Sequence, residues 1–301
     1  MTADAPTPYT TRPAAPGDAG AILAVAVAQD VADAGRADIV LAHVEDELSD
    51  PGFEGVVVED EAGAVVAFAL LKGTDPHVAV HPGACGRGIG AFLAADVERR
   101  ARAAAAPRLR QEVMSANRGA AALLQAAGYR RELTSLRMER ELDGGEHTPE
   151  WPPGVEVRPF ERGRDDRAAY ELVSRAMADV PGSTDRSFEE WTARALGSAL
   201  APGLSAVAQD ANGATVGIAL CERREAGEGY VDYLAVAREA RGRGLGRALL
   251  GRSLRAFSDE GMGRGALWVD SRNEPAVRLY RSAGMDVAFS ADRYVKSLLR
   301  P

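Results

Sequence analysis

From Ala240 to Leu250 the chain reads ARGRGLGRALL, with glycine at Gly242, Gly244 and Gly246 and arginine at Arg241, Arg243 and Arg247. An apolar helical pattern begins inside it, at Leu245. The first turn of a helix leaves N–H groups without internal partners and carries partial positive charge, so it attracts anions. Glycines let a phosphate reach that backbone, and the arginines add charge around it. The chemistry indicated is the holding of a pyrophosphate or similar group. No Gly-Lys-Ser/Thr ending follows, which excludes a P-loop, and a dinucleotide fingerprint would need glycine where Arg247 stands. Taken alone, the segment also fits a glycine turn capping a helix with solvated arginines.

A second set of reactive types, His77, His81 and Cys85, is spaced by four residues. It runs through a strand and loop, where that spacing does not converge, and a closed zinc site needs a fourth ligand. No metal site is expected, and Cys85, without a base partner, reads as a small buried residue. All four histidines precede residue 150.

The elements that must position the loop occur twice. HVAVHPGACGRGIGAFL, from His77, matches YLAVAREARGRGLGRAL, from Tyr233, at an offset of 156 residues. Asn117, Ala120, Leu123 and Gly128 match Asn273, Ala276, Leu279 and Gly284 at the same offset. A period this long is a duplicated domain rather than a solenoid repeat. Each half shows helices (Ala19 to Ala34; Arg167 to Ala178 and Phe188 to Leu200), then a hairpin such as LSAVAQDANGATVGIALCER with its Asp-Ala-Asn-Gly turn. An apolar strand (Val78 to Val80; Tyr230 to Val236), the glycine loop and a helix follow, and then a strand (LRQEVM; GALWVD) and a helix from Asn117 or Asn273. This order predicts an α/β (α+β) fold, each domain a mixed, mostly antiparallel sheet flanked by helices. The Gly and Pro pairs of LDGGEHTPEWPPG predict a linker, with domains at 1–143 and 155–301 and the linker at 144–154.

Composition narrows the function. At 46% hydrophobic and 27% charged residues over 301 positions the chain reads as globular with two domains. A formal charge of -8 argues against nucleic acid or a membrane surface as partner and favours a cationic or amine-bearing one. Two cysteines, one per half, argue against a disulfide framework, and the N-terminal stretch lacks a basic region followed by an apolar core. A cytoplasmic location is the expectation.

Arg241-x-x-Gly244-x-Gly246 after a strand, followed by Asn273-x-x-Ala276-x-x-x-Tyr280-x-x-x-Gly284, resembles the GNAT superfamily of acyl-CoA-dependent N-acyltransferases. Both halves share the resemblance, in the tandem layout of actinobacterial members such as mycothiol synthase. It implies that the backbone from Gly242 through Arg243, Gly244, Leu245 and Gly246 to Arg247 holds the pyrophosphate of acetyl-CoA, the cosubstrate. It implies further that Asn273 touches the pantetheine arm, that a strand N–H near Val236 meets the oxyanion, and that Tyr280 protonates the leaving thiolate after direct attack by an amine. Asn273 also fits a helix N-cap, and the two roles are compatible.

The attacking amine must lose a proton, and with no histidine in the second domain a carboxylate or a water chain must take it. Asp232 is the choice, on the strand leading into the loop and, by alternation, on the face of Leu234. Glu222 and Glu228 are nearby alternatives. The first domain keeps Arg87, Gly88 and Gly90 as cofactor-binding candidates but has Cys85 for Arg241 and Leu124 for Tyr280. It reads as a non-catalytic, structural or cofactor-binding domain. Two function classes follow: acetyl transfer to a primary amine of a small molecule in the second domain, or an acyl-CoA or amine sensor without turnover.

Overall fold

The computed structural model describes residues 5–50, 52–178, 186–224 and 227–299. In chain order the elements are β1 (Thr10–Pro13), α1 (Ala19–Ala34), α2 (Leu41–Ser49), β2 (Glu54–Glu59), β3 (Val65–Lys72), β4 (Asp75–Val80), α3 (Ile89–Ala103), β5 (Arg108–Met114), α4 (Arg118–Ala126) and β6 (Arg130–Glu141). They continue with β7 (Val155–Pro159), α5 (Asp166–Ala178), α6 (Phe188–Ala195), β8 (Ala206–Asp210), β9 (Thr215–Arg224), β10 (Glu228–Val236), α7 (Leu245–Asp259), β11 (Arg264–Asp270), α8 (Glu274–Ser282) and β12 (Asp286–Ser297). Helix α6 stops at Ala195, short of the expected Leu200, and α2 and the long strands β6 and β12 were not anticipated from local pattern.

Two compact units result. One comprises the chain up to Ser135 together with Phe289 onward, and the other runs from Leu136 to Ala288. The boundaries thus fall inside β6 and β12, and the Leu142–Gly154 segment lies within the second unit. There the buried Glu146 side chain faces Arg140, its carbonyl accepts from Arg255, and the Pro153 carbonyl accepts from Arg243.

In the first unit β1–β4 form an antiparallel sheet in sequence order, and β5 pairs antiparallel with β12 from Met114↔Ala291 to Arg108↔Ser297. Strand β3 is buried on both faces, and the period of two sorts its residues. Phe68 and Leu70 pack with Ile22, Val25 and Val44 of the helices α1 and α2, while Ala67, Ala69 and Leu71 pack with Leu93 and Val97 of α3. Burial raises the Asp30 carboxyl on α1 to about 6, against the Asp38 backbone N–H that accompanies it. The unfolded chain therefore ionises first, and this group's contribution to stability falls as pH rises from about 4 to about 6. Asp30→Asn is expected to flatten that limb of the pH profile of the urea midpoint; an unchanged profile would show that Asp30 titrates normally.

In the second unit the strand order is β7-β8-β9-β10-β11, antiparallel except for the parallel pair β10–β11, and β11 also meets the end of β6, where Arg264 pairs with Glu141 at 3.0 Å. The core gathers Phe257, Leu249, Leu250 and Leu254 of α7 against Ile218, Leu220 and Leu267. Helix α7 comes this close because Gly229 and Gly265 face each other across β10 and β11. A Cβ at Gly229 would stand 2.1 Å from the Phe257 ring, and one at Gly265 would stand 2.4 Å from Leu254. Gly229→Ala is expected to destabilise by about 3 kcal/mol, since a ring in a filled core has no free volume to enter. A urea midpoint equal to wild type would contradict this.

Candidate active site

Strands β10 and β11 pair only at Glu228↔Arg264, Gly229↔Gly265 and Tyr230↔Ala266. Strand β10 stays paired with β9 as far as Val236↔Gly217, so beyond Tyr230 it parts from β11 and a fork opens. The Ala237 N–H donates to Val216 on the β9 side, and alternation turns the Val236 N–H to the other edge, into the fork. The Val236 carbonyl, on that same edge, accepts from Arg241 Nε at 3.1 Å.

At the end of the strand the glycine loop turns into α7. Gly242 and Gly244 have φ of 76° and 88°, in the left-handed region, and no atom lies within 4 Å of where their Cβ atoms would be. Gly244 is the N-cap of α7 and offers no side chain, so the amides of the first turn stay uncapped toward the exposed side of the loop. Around them Arg243 donates to the Pro153 carbonyl and Arg247 to the Ser282 hydroxyl. The side chain of Leu245 is buried in the core, leaving only its backbone to the loop. Gly246 has a different part from the other glycines. Its Cβ would meet Leu279 at 3.4 Å and Val236 at 3.7 Å, so it sets the close approach of α7, α8 and β10.

That approach brings α8 to the fork. Asn273 is the N-cap of α8, and its Oδ1 accepts from the Ala276 N–H at 3.3 Å. Tyr280, one residue beyond Leu279, is buried in the core of the second unit. Burial pushes its phenol up to about 12, so it is protonated at neutral pH. Among the described residues nothing hydrogen-bonds the Tyr280 hydroxyl or the Asn273 side-chain NH2. A cavity beside the strand end is lined by Leu172, Arg175 and Ala176 of α5 and by Val236, Arg238 and Arg241.

The carboxylates separate. The register of β10 slips between Val231 and Tyr233, so Asp232 is the extra residue of a bulge. The alternation that put it on the face of Leu234 is interrupted there. Asp232 acts electrostatically on Arg194 of α6 and on Tyr233, and Arg194 hydrogen-bonds the Tyr233 side chain. Burial, and then the Asp232 charge, hold the Tyr233 phenol above its ordinary value, against the pull of Arg194 and Arg186. The Trp191 ring packs 5.9 Å from Tyr233 and 5.8 Å from Tyr170, giving this side of the strand an aromatic wall. Glu222 is engaged by Arg224 at 3.2 Å, and Glu228 by Arg137 and Arg264. Both are committed to ion pairs, with the Tyr230 ring stacked under Arg224.

His147, in the segment read as a linker, falls in the second unit. It is exposed and rests on the Gly145 carbonyl at 3.0 Å. The adjacent Glu146 carbonyl is held by Arg255, ten residues into α7 and so about 15 Å from the loop at 1.5 Å per residue. Cys85, expected to be buried, is exposed. The turn into α3 leaves its side chain outside, with Sγ near the Val80 and His81 carbonyls. Arg194, Trp191 and Tyr170 had no sequence signal, because they reach the strand only through the packing of α5 and α6. Of the stretch Val180 to Arg186, expected to shape the acceptor pocket, residues 180–185 lie outside the described residues.

A parallel strand pair that forks, with an uncapped helix start at its end, is the arrangement in which an acyl thioester can lie between two strands. The sequence profile of the acetyltransferase (GNAT) family matches residues 42–129 and 167–285. The chain belongs to the GNAT acetyltransferase family. It is 34% identical over 295 residues to a mycothiol acetyltransferase of Kineococcus radiotolerans, covering 93% of each chain. To the mycothiol acetyltransferase of Thermobispora bispora it is 33% identical over 279 residues, covering 89% of this chain and 92% of the relative. Among solved structures, a GCN5-related N-acetyltransferase from Sphaerobacter thermophilus superposes with a TM-score of 0.79 at 30% identity, over 99% of this chain and 98% of the other. A tandem GNAT protein of the clavulanic acid biosynthesis pathway shares the fold, with a TM-score of 0.78 at 19% identity over 97% and 99%. The protein is therefore an acyltransferase of tandem GNAT architecture, and no helix among the described residues is long and apolar enough to cross a membrane.

Proposed function

We propose that the second unit transfers the acetyl group of acetyl-CoA to a primary amine of a small molecule by direct attack. The observation that carries this is the fork itself: the Val236 N–H turns into it, the uncapped start of α7 lies at its end, and α8, the helix of Tyr280, approaches Gly246 and Val236 through Leu279. The amides and arginines from Gly242 to Arg247 hold the pyrophosphate, and the Asn273 side-chain NH2 meets the pantetheine arm. The amine nitrogen attacks the thioester carbon, the carbonyl oxygen becomes an oxyanion received by the Val236 N–H, and the C–S bond breaks as the amide forms.

With a pKa near 12, Tyr280 is a weaker acid than a thiol near 8.5. Its hydroxyl therefore stabilises the developing thiolate by hydrogen bonding. The proton released by the amine, taken by Asp232 directly or through water, balances the free CoA thiol. The names of the relatives favour the acetylation that yields mycothiol as the reaction. Incubation of the full chain with acetyl-CoA and the unacetylated mycothiol precursor is expected to release CoA thiol in proportion to amide formed. Tight acetyl-CoA binding with no thiol release across a panel of primary amines would sink the proposal.

A further inference from the structure

The duplication supplies an internal control, because every element of the second unit's fork has a counterpart in the first at the same offset of 156 residues. The glycine loop is preserved as backbone: Gly86 and Gly88 have φ of 75° and 85°, and Gly88 is the side-chain-free N-cap of α3. The strand end is preserved as well. The His81 N–H donates to Val66 as Ala237 does to Val216, so the Val80 N–H, like that of Val236, points away from the hairpin partner.

The occupants differ. Gln29 Oε1 accepts from the Val80 N–H at 2.9 Å, on the position corresponding to the proposed oxyanion donor. Asn117 caps α4 as Asn273 caps α8, yet its side-chain NH2 donates to Asp33 Oδ2 at 2.8 Å. Gln29 and Asp33 are four apart on α1 and so share one face of it. The Pro6 ring lies 3.8 Å from where a Gly88 Cβ would be, while the space over Gly244 is open. Arg87 donates to the Tyr9 hydroxyl at 2.9 Å. Leu124, in the place of Tyr280, is buried without a hydroxyl.

We infer that the first unit carries a closed acyl-CoA groove whose ligand positions are filled by the chain's own Gln29 and Asp33, with the N-terminal segment at Pro6 and Tyr9 over its loop. The protein binds one acyl-CoA per chain, in the second unit. Entry of a thioester into the first unit would have to break the Gln29–Val80 bond and strip the half-buried Asp33 carboxylate of its Asn117 partner, leaving polar groups unpaired. Arg87, Gly88 and Gly90 keep the shape of a phosphate loop and lose its ligand. This inference concerns the first unit, whatever amine the second acetylates.

Amide hydrogen exchange of the full chain, with and without acetyl-CoA and with no acceptor, tests it alongside calorimetric stoichiometry. In the wild type, ligand protection is expected at Val236 and Leu245 to Arg247, none at Val80 or Gly88 to Gly90, with one site per chain. In the Gln29→Ala, Asp33→Ala variant the Val80 amide is expected to exchange about tenfold faster, the effect of losing one hydrogen bond, and a second site to appear. Gln29→Leu, which removes the acceptor while filling the space, supplies the same exchange readout if the double variant fails to fold. Ligand protection at Val80 in the wild type, two wild-type sites, unchanged Val80 exchange in the variants, or, in the folded double variant, a freed Val80 with no second site would each overturn the inference. Failure of the second-unit reading shows at other amides, as absent protection from Leu245 to Arg247.

Discussion

Tyr280→Phe is expected to lower kcat by about 10²–10³-fold, the range for losing one preorganised hydrogen-bond donor to a developing charge, with the Kd of acetyl-CoA nearly unchanged. The split follows from when the interaction is made. A thioester sulfur accepts hydrogen bonds poorly, a developing thiolate accepts them strongly, and the lost bond therefore belongs to the transition state. The fold supplies its own control. The Tyr280 ring lies in the core of the second unit, and its hydroxyl has no partner among the described residues, so removing the oxygen strands no buried group. The melting temperature should stay at the wild-type value or rise slightly. With the phenol raised to about 12, the proton stays on oxygen throughout the neutral range, and no alkaline limb below about pH 10 should trace to it. Wild-type turnover in the variant would remove Tyr280 from the mechanism.

Gly244→Val is expected to weaken acetyl-CoA binding by about a hundredfold or more while leaving the core intact. The space around a Cβ at Gly244 is open, so the effect does not come from a clash with the protein's own atoms. It comes from φ at 88°, a conformation that a β-branched residue avoids at a cost of about 1–3 kcal/mol. The loop relieves that strain by leaving the left-handed region, and the first amides of α7 then turn away from the anion. Two charge-assisted hydrogen bonds lost, at about 1.5–3 kcal/mol each, correspond to the stated change in affinity. Gly244→Ala should fall between the two, because alanine tolerates positive φ better than valine. Calorimetry showing wild-type affinity in Gly244→Val would disprove the role of the loop.

Much of the site is local in origin and legible in the residues themselves. Alternate glycines before an apolar helix give Gly242 and Gly244 their positive φ, and Asn273 caps the helix that carries Tyr280. Asp-Ala-Asn-Gly closes its hairpin with the Gly213 N–H on the Asp210 carbonyl at 2.9 Å. The repeat carries the same features to Gly86, Gly88 and Asn117, because each depends only on neighbours a few residues away.

What the residues could not disclose depends on segments far apart in the chain. The bulge at Asp232 is a slip in the pairing of β10 with β9, which period-two reasoning on β10 alone does not register. The unit boundaries fall within β6 and β12 because strand pairing, which a Gly-Pro linker signal does not sense, decides where contacts gather. Leu142 to Gly154 still reads as a linker by composition. Gln29 and Asp33 carry no motif, and only the packing of α1 across the ends of β4 and α4 sets them on Val80 and Asn117. Backbone chemistry along the sequence thus determined where a phosphate could be held, and tertiary packing decided which of the two copies has its fork open.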